Sequence, residues 1–148
     1  MASDEPRCSI QRSLQVLGER WSLLIIREIF SGRHRFAEIQ SVLGVAPNLL
    51  TTRLKKLADA GVLRNQTYQE AGSRTRVSYH LTPAGEELLV ILAALQQWGD
   101  RHCPHPSGPA VLRRQRSSGH SVHVGLISDT HGHEIPLADL DMVSVQPA

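Results

Sequence analysis

The chain has 148 residues, of which 41% are hydrophobic but only 4% aromatic, so one compact domain can form a core, built mostly from Leu, Ile and Val. No apolar run approaches the ~20 residues of a membrane span, and Met1 to Arg7 has no apolar signal region. Two cysteines, Cys8 and Cys103, make no disulfide framework, so a soluble cytoplasmic protein with reduced thiols is expected.

Ile10, Leu14 and Leu17 recur at i, i+4 and i+7 and predict a first helix ending near Gly18. From Trp21 to Phe30 the chain is apolar on nearly every side, as a central helix would be, and Gly32 stops it. Phe36, Ile39 and Leu43 stripe a third helix that Gly44 ends. Pro47 suits the first position of a fourth helix, since its missing N–H would lack a partner there anyway. Leu50, Leu54 and Leu57 face inward along it, and Gly61 terminates it.

Val62–Tyr68 and Arg76–Leu81 have strand-like composition, Val77, Tyr79 and Leu81 alternate, and Ala71-Gly72-Ser73 supplies a turn between them. Thr82-Pro83 starts a fifth helix striped by Leu88, Ile91, Leu92, Leu95 and Trp98. Pro104, Pro106, Gly108 and Pro109 break it. A His-rich arm follows, with a strand-like run at Val122–Ile127 and a second extended piece near Glu134. The expected fold is mainly α with a small β wing, a winged helix-turn-helix in residues 1–103, with a short β-containing C-terminal arm in 104–148.

Between Ser31 and His80 eight Lys/Arg face three acids, a net of +5 that leaves −3 for the rest of a +2 chain. Positive charge is therefore concentrated on the helix-turn-helix and wing, as phosphate attraction requires. At ~100° per residue Asn48, Thr52, Lys55 and Asp59 share a narrow arc flanked by Thr51 and Lys56, opposite the three leucines. Asn can bond adenine bidentately and Thr can touch a base edge or a thymine methyl. Arg33, His34 and Arg35 before the third helix, and Arg74 and Arg76 on the hairpin, complete the expected DNA contacts.

The sequence resembles the HxlR-type winged-helix regulators, a family related to the MarR-like regulators. The resemblance rests on Cys8-Ser9-Ile10, Leu17-Gly18-Glu19-Arg20-Trp21, Arg35-Phe36-Ala37-Glu38-Ile39, Leu49-Leu50-Thr51-Thr52-Arg53-Leu54, Ala60-Gly61-Val62-Leu63, Val77-Ser78-Tyr79-His80-Leu81-Thr82 and Gly85, in the expected order from Cys8 to about Trp98. It implies a homodimer joined by its terminal helices on a partly palindromic double-stranded operator. Two positions depart from the family pattern: Ala46, a poor N-cap, replaces the usual Ser, and Ala71-Gly72-Ser73-Arg74 replaces a Pro-rich wing tip.

Three signals point elsewhere. Ile127-Ser128-Asp129-Thr130-His131-Gly132 matches the opening metal motif of metallophosphoesterases, but a two-metal site needs further ligands from later strands, and sixteen residues follow Gly132. A hairpin turn is expected instead, and no enzyme. His102, Cys103 and His105, with His120, His123, His131 and His133, lack the paired spacing of a zinc ribbon, so neither metal nor cofactor is expected. Cys8 stands just before the first helix near Arg7 and Arg12, a setting that favours thiolate chemistry.

The sequence thus predicts a dimeric DNA-binding transcriptional regulator, a repressor because occupying a promoter needs no further machinery, located in the cytoplasm with the nucleoid. The alternative is a redox or electrophile sensor acting through Cys8, with an oxidant or small molecule as effector.

Overall fold

The computed structural model describes residues 6–145. Contacts divide the chain into two compact units that meet within one helix, at Leu92/Ala93, whereas composition alone places a break at 103/104.

The first unit contains α1 (Ser9–Leu17), α2 (Arg20–Phe30), α3 (Phe36–Leu43) and α4 (Pro47–Asp59), then β1 (Leu63–Tyr68), β2 (Arg76–Leu81) and the start of α5 (Pro83–His102). Its core is aliphatic, as the composition demands: Ile25, Ile26 and Ile29 of α2 meet Ile39 of α3, Leu50, Leu54 and Leu57 of α4, Val45 and Val62 of the connections, and Leu63 of β1. Burying side chains of this size is worth about 1.5–3 kcal/mol each, which makes α2 and α4 the frame of the unit.

The α3–α4 turn follows from local chemistry. Gly44 takes φ +61°, a left-handed conformation that costs glycine little, and its N–H bonds the Gln40 carbonyl to close α3. Val45 then turns inward and Pro47 begins α4. At the start of α3 the Glu38 carboxylate reaches back to the N–H groups of His34 and Arg35, at 3.2 and 3.0 Å.

β1 and β2 form an antiparallel ladder from Leu63↔Leu81 to Tyr68↔Arg76. The backbone before α3 adds an isolated bridge to β2: Arg35 bridges Ser78, and the Tyr79 N–H donates to the His34 carbonyl at 2.8 Å. The burial of β2 departs from simple alternation. Tyr79 and Leu81 pack on the core, but Val77, nearer the wing tip, is exposed, and Ser78 on the opposite face is buried beside Gln66 and His80. The Ser78 hydroxyl donates to the Gln66 carbonyl at 3.1 Å, which satisfies its burial.

Thr82 starts α5: its hydroxyl accepts from the Gly85 N–H at 3.2 Å and donates to the Gly61 carbonyl at 2.6 Å, fastening the helix to the end of α4. No helix among the described residues is long and apolar enough to cross a membrane.

The second unit contains the end of α5 and the arm. The Gln97 side-chain amide pairs with both backbone groups of Val124 at 2.8 Å, imitating a strand neighbour. Arg113 pairs with Asp100 at 3.0 Å, and Gln96 donates to the Val111 carbonyl. β3 (Leu126–Ile127) and β4 (Glu134–Ile135) form a hairpin, followed by a 3-10 turn at Leu137–Asp139.

Candidate nucleic-acid interface

α4 divides cleanly by face. Leu50, Leu54 and Leu57 are buried, while Asn48, Thr51, Thr52 and Lys55 are exposed and Lys56 is half-buried. Both threonine hydroxyls are committed to the helix: Thr51 donates to the Pro47 carbonyl and Thr52 to the Asn48 carbonyl, each at 2.9 Å. With the hydroxyl hydrogen used internally, each Thr offers an acceptor and a methyl group outward. Lys55 is ion-paired with Asp59 one turn on, a fully wet pair that a stronger anion can replace at little cost.

The N-terminus of α4 is only partly capped. Ala46 provides no side-chain bond, and the Asn48 side-chain Oδ1 instead accepts from the Leu49 N–H at 2.9 Å. The first-turn N–H groups and the positive end of the helix dipole are thereby left for an anion.

The cations before α3 have different settings. Arg33 donates to Glu28 at 2.9 Å, and Glu28 is buried with a second partner in Arg27. His34 is drawn into the frame: its Nδ1 donates to the Tyr79 carbonyl at 2.9 Å and its ring stacks on His80. Arg35 remains exposed, pairs with Glu70 at 2.7 Å and lies over the Tyr68 ring. On the wing, Arg74 and Arg76 are exposed and have no ion-pair partner among the described residues. The wing tip is held by the Gln69 amide on the Ser73 carbonyl and the Ser73 N–H on the Glu70 carbonyl.

Two features escape sequence reading. Arg53, counted only as part of the basic segment, is largely buried on α4 and pairs with Glu19 before α2 at 3.0 Å. Glu28, an acid within the apolar helix α2, is the buried anchor of Arg33. The hint was Glu28 lying between Ile26 and Ile29 on an apolar helix.

Cys8 is an exposed free thiol at the N-cap position of α1, where the Arg12 guanidinium folds back onto the carbonyls of Pro6 and Arg7. Asp129 and His131 lie in the β3–β4 turn, closed by Ser128 N–H to His133 O at 2.9 Å and Gly132 N–H to Ser128 O at 2.7 Å. Among the described residues no group of three or more His, Cys, Asp or Glu side chains is placed to hold a metal ion.

Residues 16–107 match the family model described as HxlR-like helix-turn-helix. An HTH-type transcriptional regulator of Mycobacterium tuberculosis is 37% identical over 127 residues, covering 86% of this chain and 79% of the relative. Two solved structures described as candidate transcription factors are similar over nearly the whole chain. PA1607 is 32% identical with a TM-score of 0.81, over 97% of this chain and 99% of that one. PA1374 from Pseudomonas aeruginosa is 38% identical with a TM-score of 0.64, over 95% and 94%.

Proposed function

The chain belongs to the HxlR-like helix-turn-helix family, and from that premise we propose that it is a homodimeric repressor that reads a partly palindromic operator in double-stranded DNA. It is a transcriptional regulator with a helix-turn-helix domain. The observation that carries the proposed DNA reading is the division of α4, with three buried leucines on one face and Asn48, Thr51, Thr52 and Lys55 on the other.

In this reading α4 enters the major groove, where Asn48 and Thr52 meet base edges and Thr51 and Lys55 flank them. Lys56, Arg35, Arg74 and Arg76 take phosphates or the neighbouring minor groove. Arg33 and His34 hold the start of α3 in place through Glu28 and Tyr79. Residues 1–103 act as the DNA-binding and dimerisation domain, with 104–148 as an appended arm.

Exposed apolar side chains support the dimer. Ile10 and Leu14 of α1 are 60% and 56% exposed. Val90, Ile91, Leu95 and Trp98 of α5 are exposed as well. A second copy covering these residues would place two recognition helices ~34 Å apart, one turn of DNA. Occupying a promoter represses with no further machinery, in the cytoplasm at the nucleoid.

The test selects duplexes from a randomised pool, then measures stoichiometry and footprint. One partly palindromic site bound by two chains is expected. Failure to enrich any sequence, or binding by a monomer, overturns the reading.

A second reading makes the chain a thiol sensor, favoured by the exposure of Cys8 at the start of α1. Modifying Cys8 would displace α1 and with it the spacing of the recognition helices. Operator affinity should then respond to oxidant in the parent and not in Cys8→Ser, and an unchanged response in Cys8→Ser removes this reading.

A further inference from the structure

A cleft of about 410 Å³ opens at the base of the wing, walled by the end of α2, the segment before α3, both wing strands and the first turns of α5. Its volume lies within the ~300–1,000 Å³ range of small-molecule sites. The walls are of two kinds. Phe30, Leu81 and Leu89 are apolar, and Phe30 is 56% exposed despite its size. Arg64, His34 and His80 are basic, and Arg64 has no ion-pair partner among the described residues.

The hydrogen bonds of the two imidazoles fix which nitrogen of each ring is left over. The Ser78 hydroxyl gives its hydrogen to Gln66, so it accepts from His80 Nε2 at 3.0 Å. His34 Nδ1 donates to the Tyr79 carbonyl. Each neutral ring therefore keeps one nitrogen with a lone pair and no hydrogen-bond partner among the described residues, His80 Nδ1 and His34 Nε2. Protonating either creates a new donor beside Arg64. The rings stack with centroids 4.4 Å apart, so a second positive charge there is disfavoured unless an anion arrives with it. Burial and the nearby charges of His34 and Arg64 already hold His80 below its ordinary pKa. Of the other charged groups lining the cleft, Glu86 of α5 lies opposite in sign. It makes no ion pair with Arg64, and it penalises a ligand with a second negative charge.

We propose that this cleft binds a small organic monocarboxylate with an apolar, preferably aromatic body: the carboxylate against Arg64 and His80, the body against Phe30, Leu81 and Leu89. A charge-assisted contact to Arg64 supplies orientation, and the apolar wall supplies burial. Binding stands independently of the regulator reading. Its consequence, an operator affinity altered through the wing that carries Arg74 and Arg76, rests on that reading.

The probe is phenylacetate, followed by amide shifts of the labelled full chain, with phenylacetamide as the neutral control and phenylmalonate as the dianion. Phenylacetate should shift the amides around Arg64, His80 and Leu89, and bind about tenfold more tightly than either control. Affinity should rise on acidification from about pH 8 to about pH 6, because binding takes up a proton. Arg64→Gln should weaken phenylacetate about tenfold with the fold intact, and Glu86→Gln should strengthen it. Phenylacetamide binding as well as phenylacetate, an Arg64→Gln variant that binds like the parent, or no shift at these amides overturns the site. Operator binding is measured on the same samples without ligand. Its loss with phenylacetate still bound defeats the regulator reading and leaves the site standing, and the reverse pattern defeats the site alone.

Discussion

The Arg33 guanidinium donates to the Glu28 carboxylate at 2.9 Å, and that carboxylate is only 3% exposed. The pair also closes the α2–α3 turn, since the Arg33 N–H bonds the Glu28 carbonyl at 3.0 Å. The two partners are unequal. Glu28 keeps Arg27 if Arg33 is lost, whereas Arg33 is partly in water and tolerates losing Glu28. Removing Arg33 therefore leaves a half-compensated buried charge, which costs about 1–3 kcal/mol. Arg33→Ala should lower stability in urea by this amount, and Arg33→Ala combined with Glu28→Gln should recover part of it. No recovery in the double variant would mean that the charge pair is not what Arg33 supplies.

The burial of His80 makes stability depend on pH. In the folded chain His80 is held below the ordinary histidine value of 6.5, first by burial and then by the charges of His34 and Arg64. Above 6.5 both folded and unfolded chains carry a neutral ring, and its contribution is fully present. As pH falls below 6.5 the unfolded chain protonates first, so stability is lost down to the folded pKa. The urea midpoint of the parent should drop between about pH 7.5 and about pH 5.5, and His80→Gln should flatten that drop. An equally steep fall in His80→Gln would place the titrating group elsewhere.

Gly85 and Gly99 lie in the same helix and should respond in opposite directions. A Cβ added at Gly85 would fall on the Val62 carbonyl oxygen, which is fixed by the Thr82 N–H at 3.1 Å. Backbone must then move, and Gly85→Ala should cost about 1–3 kcal/mol. At Gly99 nothing lies within 4 Å of the added atom. Gly99→Ala should therefore gain about 0.5–1 kcal/mol from helix propensity. Denaturation at one fixed protein concentration checks both, and a stabilised Gly85→Ala would show that α5 can slide away from Val62.

Spacing made the five helices legible, because each keeps its apolar residues on one turn-periodic face and ends at a glycine, a proline or a polar break. The winged hairpin was legible for the same kind of reason, down to the register-setting turn at Ala71-Gly72-Ser73. The bridge before α3 was not. It consists of His34 and Arg35, which carry no β pattern and are recruited only because β2 passes beside them. Val77 keeps the alternation of Tyr79 and Leu81 but lies nearer the wing tip, where it is exposed. The same recruitment explains His34: nothing local signals that its ring bonds the Tyr79 carbonyl forty-five residues away. The α4 face, by contrast, is set by one helix alone, and the structure buries the leucines and exposes the polar residues as the 100° rule requires.

That face and the wing should fail differently when changed. Thr52 has its hydroxyl hydrogen on the Asn48 carbonyl, so outward it presents a methyl group and an acceptor. If the methyl meets a thymine, Thr52→Val keeps affinity and Thr52→Ala loses it. If the oxygen accepts from a base, both variants lose it. Asn48→Ala should cost about 1–3 kcal/mol at the operator and relax preference at one base pair. If Arg74 and Arg76 take phosphates, Arg74→Gln and Arg76→Gln should each weaken all sequences alike and lower the salt dependence of binding by about one counterion. Anisotropy titrations of the operator and of a scrambled duplex, over a range of salt, separate the two behaviours. Should the wing variants change sequence preference with an unaltered salt slope, or the α4 variants weaken both duplexes equally, the roles of wing and helix are reversed.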